Sequence, residues 1–174
     1  MTRSITKLAM MAMISALPAG AMAASTGATA TLIRGDGTTI GQASLTPKGD
    51  GLWLVVDATG LTPGKHGIHL HAVGTCTGPD FASAGGHWNP MNHKHGSEAA
   101  DGPHMGDLPN IEADASGKAH LETEVSMATL EGGAMGLLDA DGAAIVIHAG
   151  PDDYKTDPSG NSGARIACGV IKAN

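Results

Sequence analysis

The sequence has 174 residues, enough for one domain. Hydrophobic residues make up 41% of it, charged residues 16% and aromatics 2%, and 26 residues are Gly; this apolar content can bury a core, and the Gly-rich, aromatic-poor balance favours short strands and tight turns over a helical bundle. A net charge of −7 argues against a general phosphate-backbone binder.

Arg3 and Lys7 precede an uncharged apolar run, Leu8–Leu17, and Pro18 leads to the small-x-small site Ala21-Met22-Ala23. The pattern predicts a secretory signal peptide over residues 1–23, because the run falls short of the ~20 apolar residues that span a bilayer. Cleavage after Ala23 removes two basic charges, taking the net charge from −7 to −9, together with five of the nine Met. The four Met that remain are too scattered for a methionine copper box. No Cys lies near the cleavage site to carry a lipid. The mature domain, residues 24–174, is therefore expected to be soluble and periplasmic, with no membrane or nucleic-acid partner.

β-prone segments then follow at Ala28–Ile33, Ile40–Thr46, Leu52–Ala58, Gly67–His71, Ala119–Val125, Ala143–Ala149 and Arg165–Lys172. Gly/Asp turns separate them, at Gly35-Asp36-Gly37, Lys48 to Gly51, Asp114 to Gly117 and Asp141-Gly142. This spacing predicts an antiparallel sandwich or barrel. Two stretches carry no periodicity: Ala72–Asp107, with seven Gly and three Pro, and the Gly/Asp/Pro-rich Gly150–Ala164. Long loops of this kind in a compact domain are usually functional or disordered.

Six of the nine His fall between His69 and His104. On a strand, His69 and His71 would share one face and Ile68 and Leu70 the other. Two imidazoles so placed suit Cu or Zn, although the pair alone equally fits an exposed polar face. His87, His95, His104 and Asp107 sit on the first loop, and three His with one Asp form a closed tetrahedral set suited to Zn²⁺. Zinc would also tie down a loop that has little core of its own. His148 ends the apolar run Ile145-Val146-Ile147 and by itself reads as a satisfied strand-end histidine. His66 and His93 read as surface or rim residues, and His120 as solvent-facing.

Five ordered segments together resemble the copper/zinc superoxide dismutases, particularly the exported bacterial branch. They are Gly67-Ile68-His69-Leu70-His71; Gly86-His87-Trp88-Asn89-Pro90 with Lys94-His95-Gly96; Pro103-His104-Met105-Gly106-Asp107-Leu108; Val146-Ile147-His148; and Gly163-Ala164-Arg165-Ile166-Ala167-Cys168-Gly169-Val170. The resemblance covers about residues 28 to 172 of the chain. It implies an all-β, eight-stranded antiparallel Greek-key β-barrel or sandwich with two long functional loops. It also implies dismutation of superoxide to oxygen and hydrogen peroxide, with one Cu and one Zn per chain. By the same resemblance His69, His71, His87 and His148 hold copper, and His87 bridges to a zinc completed by His95, His104 and Asp107. Asp152 would link His69 to His95. Ile68 stands where many relatives carry Phe, and Ala72 where many carry an acid; neither supplies a ligand.

The resemblance further implies a Cys76–Cys168 disulfide, sensible for an exported chain, and casts Arg165 as the anion-binding guanidinium beside copper. A chain of net −9 repels superoxide at long range, so local positive potential must steer it. Lys155 could add to that potential, but Asp152, Asp153 and Asp157 crowd it. A homodimer is left open. Two other function classes stay open, a metal buffer and a structural module, while a third reading, a copper-thiolate carrier, lacks its ligands. A periplasmic copper/zinc buffer without turnover would have no use for Arg165. A copper-thiolate carrier would need a His or Met close behind its Cys. A structural sandwich module would not need seven ordered ligands.

Overall fold

The computed structural model describes residues 26–100 and 102–174, so the expected signal peptide, residues 1–23, lies outside the described residues. The strands are β1 (Ala28–Ile33), β2 (Thr39–Lys48), β3 (Gly51–Ala58), β4 (Gly64–His66), β5 (Ile68–His71), β6 (Ile111–Ala113), β7 (Ala119–Val125), β8 (Ala144–His148), β9 (Arg165–Val170) and β10 (Lys172–Ala173). One 3₁₀ turn, Ala82–Ala84, interrupts the first long loop.

The strands join in a single antiparallel sheet, in the order β4-β6-β7-β3-β2-β1-β9-β8-β5, with β10 also on β1. Only Gly67 separates β4 from β5, so the two ends of that order are one continuous stretch of chain and the sheet closes into a barrel. Likewise only Ile171 separates β9 from β10. The ten segments thus follow eight strands, as the resemblance implies. The chain crosses from β3 to β4 past two places that β6 and β7 later fill, and from β7 to β8 on the far side, giving Greek-key connections.

Period-two alternation sets the core. Ala28, Ala30 and Leu32 of β1 point inward, as do Leu52, Leu54, Val56 and Ala58 of β3. The β1–β2 register skips Ile40, pairing Leu32 with Gly41 but Ile33 with Thr39. That bulge lets Ile40 and Ala43 both face the core despite their odd spacing. The outward residues of β7, His120, Glu122 and Glu124, are exposed, as expected for His120.

β5 and β8 differ: every residue in both is buried. Ile68, Leu70, Ile145 and Ile147 fill the barrel. The opposite face lies under the long loops, where Ala144 and Val146 pack with Phe81, Ala84 and Cys168 in a second apolar cluster. His69 and His71 are therefore on the covered face of a central strand, not on an exposed polar one.

Two short elements depart from the expected pattern. β4 carries the stretch that leads into β5 back to Gly64, and β6 lies in a stretch with no strand signal. Three residues are too few for alternation to register, although Ile111 and Ala113 are buried.

Candidate metal centre

The first long loop is zipped onto β5 through its backbone. Ala72 donates to Gly86 O (3.0 Å), Trp88 to Leu70 O (2.7 Å), Leu70 to Gly106 O (2.9 Å) and Gly106 to Trp88 O (2.9 Å). These bonds place His87 opposite His71 and Asp107 opposite His69. Gly106 has to be glycine here, since a Cβ would stand 2.4 Å from Leu70 O. Five of the six His between His69 and His104 thereby converge with His148, which β8 delivers beside His69, and the sixth, His93, stays apart on the loop's outer side.

One donor group consists of His87, His95, His104 and Asp107. Asp107 Oδ1 lies 2.9 Å from His87 Nδ1, 3.0 Å from His95 Nδ1 and 3.2 Å from His104 Nδ1, and the His104 and His87 Nδ1 atoms are 3.4 Å apart. Ligands at 2.0–2.1 Å around a tetrahedral ion are separated by about 3.3 Å, so these spacings fit Zn²⁺ without rearrangement. Asp107 Oδ2 is fixed by the amides of Gly96 (2.8 Å) and His104 (3.0 Å). His69 also lies within reach of this group, but its Nε2 is taken by Asp152, so its free nitrogen points elsewhere.

The second group shows itself by what is missing. Among the described residues, four buried side-chain nitrogens have no hydrogen-bond partner: His69 Nδ1, His71 Nε2, His87 Nε2 and His148 Nε2. The four side chains offer ligand atoms all within 4.8 Å of one another. In each ring the other nitrogen is occupied: His69 donates to Asp152 (2.7 Å), His71 Nδ1 to Gly85 O (3.0 Å) and His148 Nδ1 to Gly163 O (3.2 Å). Metal-binding histidines are oriented in this way by carboxylates and carbonyls behind them. An all-imidazole set suits copper. His87 belongs to both groups, with Nδ1 in the first and Nε2 in the second.

Protonation follows the same division. Burial, then the neighbouring His87, lowers the His71 pKa to about 2. Burial likewise lowers His87 and His148 to about 4. These rings are neutral at pH 7 and present lone pairs. Burial also opposes charge on His95, but hydrogen bonds to Asp107 and Asp152 outweigh it and raise its pKa to about 9. Despite their burial, hydrogen bonds from His87 and His95 hold the Asp107 carboxyl, and from His69 and His95 the Asp152 carboxyl, well below the usual carboxylate range.

Asp152 joins the two groups: Oδ2 accepts from His69 Nε2 (2.7 Å) and Oδ1 from His95 Nε2 (3.0 Å). Asn110 clamps its backbone, accepting from Asp152 N (2.8 Å) and donating to Asp152 O (3.0 Å). Asn110 carries no sequence signal, since a lone Asn after Pro109 reads as a turn. Asp153 and Asp157, expected only to crowd Lys155, cap backbone amides instead. Asp157 accepts from His95 N (2.6 Å) and Asp153 from Thr156 N (2.9 Å).

Cys76 and Cys168 form a disulfide. It pins the start of the long loop beside Phe81 and β9. Arg165, half-buried on β9, donates to Phe81 O (2.8 Å) and Gly85 O (2.7 Å). The Gly85 carbonyl also accepts from His71, so one atom positions both the guanidinium and a ring of the second group. Arg165 and Gly163 line an open cleft with Gly85 and Gly86. Lys155 is exposed and is not among the residues that line this cleft.

His66 differs from expectation. It is buried, with Nδ1 donating to His148 O (2.7 Å) and Nε2 lying 2.8 Å from Thr62 O. It occupies the seam where β4 meets β8, so it fastens the barrel rather than facing solvent.

A sequence model of the copper/zinc superoxide dismutase family matches residues 39–171. A copper/zinc superoxide dismutase of Caulobacter vibrioides is 47% identical over 148 residues, covering 83% of this chain and 85% of that one. One from Aquifex aeolicus is 43% identical over 145 residues, covering 82% and 86%. The solved structure of a superoxide dismutase-like protein from Bacillus subtilis superposes with a TM-score of 0.79 at 42% identity, covering 82% of this chain and 96% of that one.

Proposed function

This chain belongs to the copper/zinc superoxide dismutase family, and from that premise we propose the residues that do its work. It is an oxidoreductase that dismutes superoxide with copper and zinc. His69, His71, His87 and His148 hold the copper. His87, His95, His104 and Asp107 hold the zinc, and His87 joins the two. The observation that carries this assignment is the set of four partnerless buried nitrogens. Leaving them bare costs desolvation energy, which a metal would recover.

Bound copper supplies a one-electron cycle, oxidising one superoxide to oxygen and reducing a second to peroxide. The chain's residues do the rest. Arg165 faces the cleft with a permanent positive charge and draws the anion in, although burial lowers its pKa somewhat. His87 Nε2 is placed to take up a proton and return it to the departing peroxide. His95, His104 and Asp107 would hold a zinc with the same ring, and that ion would serve as a structural anchor for His87. Asp152 prevents His69 and His95 from turning.

No helix among the described residues is long and apolar enough to cross a membrane. Residues 1–23 act as a cleaved export signal, which the disulfide supports, because such bonds persist in oxidising compartments such as the periplasm.

His148→Ala tests the assignment. Copper content and dismutation should both be lost while zinc and the fold remain. A variant that dismutes normally would overturn the copper assignment. Asp107→Ala should lower zinc affinity first.

A further inference from the structure

Of the four Met outside the signal segment, three come together in the fold although the sequence separates them. Met91, Met105 and Met127 line one pocket with His93, His104 and Glu124. It lies on the outer side of the zinc ligand His104 and shares no residue with the cleft before Arg165. Met135 is not part of it.

We propose that this pocket binds one monovalent copper ion, Cu(I), outside the two metals of the catalytic centre. Three observations support the assignment. First, thioether sulfur with imidazole is a soft donor set, which selects Cu(I) over harder ions. Second, two of the three Met are open to solvent: Met91 is 41% and Met127 52% exposed, the two large hydrophobic side chains that stand out into solvent among the described residues. Met127 does so from a left-handed backbone, φ 60°, which disfavours a bulky residue. Met105, partly buried against the core, lines the same pocket.

Third, His93 is prepared as a ligand. Its backbone is clamped at both ends by Asn89, which accepts from His93 N (3.0 Å) and donates to His93 O (2.9 Å). Its Nδ1 lies 3.1 Å from Pro103 O and must be the protonated nitrogen, since a carbonyl can only accept. That leaves Nε2 with its lone pair, in the arrangement usual for a metal-binding ring. The Glu124 carboxylate at the same pocket adds negative charge for a cation. Scatter along the sequence is thus no guide to this site, because the zinc-loop turn brings His93 and Met105 against the end of β7, which carries Glu124 and leads to Met127.

The test uses the copper- and zinc-loaded enzyme, so that both catalytic positions are filled, with Ag(I) as a redox-inert probe of Cu(I) sites. The expected result is one Ag(I) per chain. The ε-methyl NMR signals of Met91, Met105 and Met127 should shift together while Met135 stays unmoved. In the double variant Met91→Leu/Met127→Leu, affinity should fall on the order of tenfold or more, since loss even of outer-shell partners costs that much. Dismutation by this variant should be unchanged, which also shows that it folds. Absence of saturable Ag(I) binding, equal shifts at Met135, or unaltered affinity in the variant would each overturn the proposal. So would sedimentation as a dimer whose Met methyl signals ignore Ag(I), because the patch would then be a subunit interface.

Discussion

Asp152→Asn separates the two metal sites by hydrogen-bond logic. Asp152 Oδ1 accepts from His95 Nε2 (3.0 Å) and from Tyr154 N (2.7 Å), whereas Oδ2 accepts only from His69 Nε2 (2.7 Å). An asparagine has one accepting oxygen, and two donors at the Oδ1 position will hold it there. Its NH₂ group then faces His69 Nε2. That ring must accept, so its proton moves to Nδ1, the nitrogen assigned to copper. Copper affinity should fall by about 10–100-fold, or about 1.4–2.7 kcal/mol, the usual cost of losing an outer partner. Zinc affinity should fall less, because His95 keeps its acceptor. Competition titrations with chelators, one metal at a time, read both numbers. Zinc weakened with copper untouched, or both metals bound as tightly as in the parent, would refute the reasoning.

Gly160→Ala should abolish zinc retention, since a Cβ there would stand 1.7 Å from Asp152 Oδ1 and 2.7 Å from His95 Nε2, at a φ of +62°; a fully zinc-loaded variant in metal analysis would contradict this. Replacing Cys76 and Cys168 by Ala removes a cross-link spanning 92 residues, worth about 4.6 kcal/mol in the chain-entropy account, and urea unfolding should register most of it. The same variant should lose rate, because the carbonyls of Phe81 and Gly85 that hold Arg165 lie on the freed loop. Arg165→Ala should lower kcat/KM on the order of tenfold and flatten its dependence on ionic strength; an unchanged salt profile in stopped-flow assays would remove Arg165 from steering. Acid should release zinc before copper. The His95 pKa, raised to about 9 without metal, means a proton competes with zinc throughout the range below that. Protons reach His87 and His148 only near pH 4, and His71 only near 2. Because those three rings bind protons less readily folded than unfolded, the metal-free chain should lose stability as pH falls from 6.5 towards 4. His95 has the opposite sign: its contribution is full below pH 6.5 and is lost as pH rises through about 9. Metal analysis and melting temperatures across pH 4–9 check both statements.

The sequence carried the site further than the fold's details. His69, His71, His87, His95, His104, Asp107 and His148 stand in motifs whose residue types and order are tied to chemistry, and the structure brings them together. Long alternating strands such as β1, β3 and β7 were legible because burial on one face leaves a period-two trace. β6 was not, because three residues cannot display a period. His66 was misplaced because its partners, Thr62 and the His148 carbonyl, come from a seam that exists only once the barrel closes. Asn110 and Gly160 act on Asp152 from loops with no periodicity. The acids around Lys155 were counted as charges, while their local role as amide acceptors depends on loop conformation. The Met cluster was invisible for the same reason, since proximity of Met91, Met105 and Met127 is a property of the fold.

The most direct measurement is superoxide dismutation by the purified chain, with copper and zinc quantified on the same sample. Rapid turnover with about one of each metal per chain is the expected result, given two complete donor sets sharing one imidazole. Both metals present without turnover would contradict the account.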